Sequence, residues 1–171
     1  VYEVFSVSSS KMKFAAYLTS EEYQLEISEE IANSKDFKTP LIYTLECAMD
    51  FYSNQLGLSF TYDIYTLNQF KKAKLPKSIK AMIDKSIETG DPCISNKSNS
   101  DSEYYKNFLL HYFENTDGKF VTVLNSYQTE FDTFDKSLLK ILQNVIYDYY
   151  LQYNYIYEVS EKIEKDWNDF P

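Results

Sequence analysis

From Asp135 to Lys165 the chain runs without a single Gly or Pro. Nothing in that stretch stops a helix once one has started, so a helix from near Lys136 to about Lys165, capped by Asp135, is predicted. Alternating steps of three and four pick out Leu139, Leu142, Ile146, Tyr149, Tyr153, Ile156, Ser160, Ile163 and Trp167. A seam sustained over about four heptads is the pattern of a helix lying along a partner helix. A second stripe, Leu138, Ile141 and Val145, is placed to cover a sheet. Burial inside the helix's own domain would also account for both stripes. A domain of this size needs only the first half of the helix, however, which leaves Tyr149 to Trp167 to meet another surface. The tyrosines along that half suit a partly wet contact.

Upstream, the punctuation is sparse but readable. Residues 1–18 are too irregular to assign, being broken by Ser8-Ser9-Ser10. Thr19 and Ser20 precede the stripe Tyr23, Ile27, Ile31, which predicts a helix over 20–33. Thr39 before Pro40 reads as a helix cap, and Leu41, Leu45, Ala48, Met49, Tyr52 and Leu56 mark one face as far as Gly57. Leu58 to Thr66 alternates as a strand, with Phe60, Tyr62 and Ile64 on one side. A basic connection, Lys71 to Lys77, leads to a short helix carrying Ile79, Met82, Ile83 and Ile87, ended by Gly90 and Pro92. Residues 96–103 read as a polar loop. Phe108–Phe113 and Phe120–Leu124 then form a hairpin across Asp117-Gly118. These elements make one α+β domain, an antiparallel sheet flanked by helices. They divide into an N-terminal helical extension (1–37), a core (38–150) and a helical extension (151–171).

Composition narrows the function. With 17 Tyr, 12 Phe and 44 % apolar residues, the chain has ample material for a core. The net charge is −9 and every one of the 17 basic residues is Lys. Without Arg the bidentate fork for phosphate and guanine is missing, and no basic face exists to displace counterions, so direct nucleic-acid contact is not expected. The Lys, Asn, Tyr, Ile and Phe bias matches an AT-rich genome. Cys47 and Cys93 match no metal or redox spacing, which favours reduced thiols in a cytoplasmic protein. No apolar run reaches membrane-spanning length. The start at Val1 suggests a fragment of a larger protein.

Three stretches carry a likeness to a known family. Ile87-Glu88-Thr89-Gly90-Asp91-Pro92-Cys93-Ile94 is similar to the "ETG-[DE]-P-hydrophobic" segment of GAF sensor domains. Phe120 to Leu124 is similar to their central strand. Phe134-Asp135 followed by Ser137-Leu138-Leu139 and Leu142 is similar to the entry of their last helix. The order of elements over residues 38–150 resembles that family too. The second strand that usually follows the first is missing before the basic connection. The resemblance implies an antiparallel sheet, pairing of terminal helices and transfer of a signal to an attached output domain.

A ligand cavity of that kind would be walled by Phe60, Tyr62, Ile64, Met82, Ile83, Cys93, Leu110 and Tyr112, all of which ordinary core packing also explains. The homodimer interface would use Leu139, Leu142, Ile146, Tyr149, Tyr153, Ile156 and Ile163. His111 is the only histidine, so no His–His metal pair exists, and nucleophilic catalysis would need Cys47 or Cys93 beside it. No Gly-rich phosphate loop is present. No cofactor is indicated. The expected function is a non-catalytic regulatory module, sensing a small molecule and dimerising within a larger bacterial signalling or transcription-regulatory protein. The alternative is a protein-interaction domain whose pocket is filled by its own side chains.

Overall fold

A computed structural model describes residues 2–34, 36–97 and 106–169, with side chains from residue 9 onward. The polar loop expected at 96–103 lies mostly outside the described residues. The remaining chain is α+β. Three helices come first: α1 (Tyr2–Leu18), α2 (Glu21–Ser34) and α3 (Lys38–Leu56). They are followed by β1 (Thr61–Thr66), α4 (Leu67–Lys72), α5 (Lys77–Thr89), β2 (Cys93–Ser95), the hairpin β3 (Asn107–Asn115) and β4 (Gly118–Ser126), and α6 (Thr133–Asn168).

Of the unassignable stretch 1–18, the described residues Tyr2–Leu18 are helical. The apolar face of α1 is thin, but Leu18 is wholly buried and Phe14 stacks on Phe51 of α3 at 4.4 Å between ring centroids. Tertiary contact rather than propensity holds this helix. The start of α3 also differs from expectation. Asp36 Oδ1, not Thr39, supplies the capping oxygen, accepting from the Thr39 amide at 2.7 Å, and Pro40 falls in the third position of the first turn. Proline costs nothing there, since the first-turn amides have no intrahelical partners. Gly57 ends α3 at φ +64°, a conformation that a side chain would strain. The basic connection is shorter than expected: Lys71 and Lys72 belong to the last turn of α4 and Lys77 opens α5, which leaves only residues 73–76 between the two helices.

The four strands form one antiparallel sheet in the order β1-β4-β3-β2. Helices cover both faces. Leu109, Leu124, Tyr62 and Ile64 face the layer of α1, α2, α3 and α6. Phe108, Leu110, Val121 and Val123 face Phe70 of α4 and Ile79 and Ile83 of α5. A strand buried on both sides loses its alternation, which is why Phe108–Leu110 reads as a solid apolar run.

β2 is only three residues long, so its pairing stops at Leu110 and the next amides of β3 need other partners. Ser86 of α5, fully buried, meets that need by accepting from the Tyr112 amide at 3.0 Å while donating to the Asp91 carbonyl at 2.9 Å. Just beyond β2, the Asn96 side chain ties the chain to the segment before α6, accepting from the Phe131 amide and donating to its carbonyl.

α6 begins one turn earlier than expected. Asp132 is the cap and Asp135 is the third residue of a reciprocal capping box, each carboxylate accepting from the other's amide. The sheet-facing stripe of this helix is Leu139, Leu142, Gln143 and Ile146, with Gln143 Nε2 donating to Thr122 Oγ1 of β4 at 2.8 Å. The stripe expected to do this, Leu138, Ile141 and Val145, is buried only at Leu138.

Candidate functional site

The residues expected to wall a ligand cavity do not share one. Phe60, Tyr62 and Ile64 belong to the core on the α6 side of the sheet, whereas Met82, Ile83, Leu110 and Tyr112 belong to the core on the α5 side. Cys93 stands opposite Leu110 in the ladder, and paired residues of an antiparallel sheet share a face, so it joins the second group. Alternation puts Phe60, Tyr62 and Ile64 on one side of their strand, as expected. The sheet itself separates them from the others.

On the α6 side, Leu45, Tyr52, Phe60, Leu124, Asp135 and Leu142 surround a gap of about 10 Å³, roughly the room of one water. Phe60 also borders an open surface groove of about 450 Å³ at the end of β1 and β4, together with Ser59, Asn125, Ser126, Tyr127 and Lys106. Of the eight expected wall residues, Phe60 alone lines this groove.

Beside the small gap lies a polar cluster that sequence reasoning missed. Lys11 is 3 % exposed and Asp135 2 %. The Lys11 ammonium lies 2.9 Å from Asp135 Oδ1 and 3.4 Å from Asp132 Oδ2, and the Tyr52 hydroxyl donates to Asp135. Burial pushes the Asp135 carboxyl above its usual range, opposed by the Lys11 ammonium and the Tyr52 bond. Burial also raises the Tyr52 phenol, reinforced by the neighbouring Asp135 charge. An enclosed, fully paired ion pair of this kind is a structural clasp between α1 and α6. Of this cluster the sequence marks Asp135 alone, as the expected cap of the last helix. Nothing local marked Lys11, because its partners lie over a hundred residues away.

Among the described residues, Cys93 and His111 are not arranged as a nucleophile and its base. His111 stands opposite Thr122, on the face of the sheet away from Cys93, so these two do not meet. Burial raises the Cys93 thiol against the pull of Lys85 and Lys136. Burial likewise raises Cys47, opposed by a hydrogen bond with Tyr43. Both shifts run away from the thiolate. Among the described residues, no group of three or more His, Cys, Asp and Glu is arranged to hold a metal ion, and no helix is long and apolar enough to cross a membrane.

The seam of α6 divides in two. Leu139, Leu142 and Ile146 are buried in the chain's own core, so they cannot serve the interface expected of them. Tyr149 and Tyr153 are half-buried at its margin. Beyond them Ile156, Ile163 and Trp167 are 63 %, 64 % and 80 % exposed, with Val159 between them on the same stripe. At 1.5 Å per residue the helix continues roughly 20 Å past Tyr153. Glu158–Lys162 and Glu161–Lys165 have the i, i+4 spacing and order that favour an otherwise unsupported helix.

Compared with protein-family models, with curated proteins and with solved structures, the chain matches none.

Proposed function

We propose that this chain is a non-catalytic protein-interaction domain of a larger regulatory protein, and that it pairs with a second copy of itself through the distal half of α6. The observation that carries this reading is the stripe Ile156, Val159, Ile163 and Trp167, apolar at seam spacing and exposed beyond the core. Such a stripe gains by burial against another helix. The resemblance to GAF domains, whose terminal helices pair, supports the same partner. The gap on the core side of Phe60, only about 10 Å³, is too small for a small-molecule ligand, which favours an interaction role over sensing in the core.

Sedimentation equilibrium tests the proposal. The full chain is expected at twice its 20.2 kDa mass at micromolar concentration, and the double variant Ile156→Glu/Ile163→Glu is expected as a folded monomer with unchanged circular dichroism. A wild-type chain that stays monomeric at 100 μM would defeat the self-pairing.

A second reading, small-molecule regulation, is favoured by the open groove beside Phe60. It would place the ligand at the end of β1 and β4 rather than between the sheet and α5.

A further inference from the structure

His111 is buried on the face of β3 that looks toward α6, opposite Thr122. Its Nε2 lies 3.3 Å from the Gly90 carbonyl at the end of α5. A carbonyl only accepts, so Nε2 carries the proton and Nδ1 of a neutral ring is left as an acceptor. That Nδ1 is buried without a partner. Gln143 of α6, close enough to His111 to favour its protonated form, donates through Nε2 to Thr122 Oγ1, and its own Oε1 is buried without a partner. Two acceptors on neighbouring side chains are thus orphaned together, and a single proton between them would satisfy both.

We propose that His111 and Gln143 form a one-proton switch joining β3 to α6. With the imidazole neutral, the Gln143 amide turns over. Its Nε2 then donates to His111 Nδ1, and the Thr122 hydroxyl donates to its Oε1. With the imidazole protonated, Nδ1–H donates to Gln143 Oε1, and Gln143 Nε2 donates to Thr122 in the orientation described above. The proton comes from solvent and returns to it. No other group changes charge.

The charged groups facing His111 are Lys140 of α6, which opposes protonation, and Asp91 in the α5–β2 connection, which favours it. They pair with each other at 2.5 Å on the surface. Burial, the largest influence, holds the imidazole below its ordinary pKa. The switch therefore responds to mild acid, and the elements it touches are those that seat α6 on the sheet.

Because His111 is the only histidine, its ring signals are unambiguous in an NMR titration of the full chain from pH 7.5 downward. The expected result is a midpoint below about 6.5, with the Gln143 side-chain amide signals shifting at the same midpoint. Gln143→Glu should raise the His111 midpoint by about one unit or more, a tenfold gain in proton affinity, by placing a carboxylate beside the ring. Gln143 amide signals that stay flat while His111 titrates would overturn the switch, as would a His111 that remains neutral until the fold is lost in acid. Should Gln143→Glu fail to fold, the wild-type titration decides alone.

Discussion

The ammonium of Lys11 lies 2.9 Å from Oδ1 of Asp135, joining α1 to the first turn of α6 across 124 positions of sequence. Both groups are buried, so removing either leaves the other's charge poorly compensated, with only the longer contact to the half-buried Asp132 left for Lys11. Asp135→Ala should cost about 3–5 kcal/mol, chiefly because it strands the Lys11 charge. The double variant Lys11→Met/Asp135→Leu should be more stable than Asp135→Ala by at least about 1 kcal/mol, since no unpaired charge remains. Urea unfolding of the three proteins checks this. A double variant as unstable as Asp135→Ala would mean that the pair is not what holds α1 in place.

α6 should respond very differently along its length. Leu142→Ala opens space in the core and is expected to cost about 2–5 kcal/mol. Ile163→Ala, on the exposed stripe, should change the stability of the monomer by less than about 0.5 kcal/mol. Both are measured by chemical denaturation at concentrations low enough to avoid association. Equal losses at the two sites would contradict the division of the seam.

Ser86 is a small residue with a large expected effect. Ser86→Ala leaves the Tyr112 amide without the acceptor that the fully buried Ser86 hydroxyl supplies, at a cost of about 1–3 kcal/mol. Hydrogen exchange should report the loss locally, with the Tyr112 amide losing protection by tenfold or more while Leu109, between β2 and β4, keeps its own.

Mild acid should destabilise the fold through His111. The unfolded imidazole titrates near 6.5, and burial holds the folded one lower. Between those two values the unfolded chain binds the extra proton. Stability is therefore complete above about pH 6.5 and falls as the pH drops from there toward the folded value. Thermal unfolding at pH 7.5 and pH 5.5 measures the difference, and His111→Gln should shrink it. An unchanged difference in that variant would assign the acid sensitivity to other groups.

Much of the fold could be read from the chain. The stripe of α2, the stop of α3 at Gly57, the hairpin across Asp117-Gly118 and the long α6 all follow from local rules of periodicity and capping. The misreadings share a cause. α1 was unreadable because Leu18 and Phe14 gain their meaning from α3 and α6. The expected ligand wall failed because period-two alternation tells which residues of a strand share a side, but not which side of the sheet a neighbouring helix takes. Phe60 and Met82 ended on opposite faces for that reason.

The sequence by itself determined that a helix runs unbroken from near Lys136 to about Lys165 with an apolar seam along it, since helix periodicity and the absence of Gly and Pro are local properties. Only the tertiary structure decided which half of that seam is inside. Leu139, Leu142 and Ile146 meet the sheet because the hairpin and α3 end where they do, and the chain offers nothing further to cover Ile156, Ile163 and Trp167 among the described residues. The same holds for Lys11 and Asp135. Each is an ordinary surface residue type by local rules, and becomes a buried clasp only when distant segments exclude water from both.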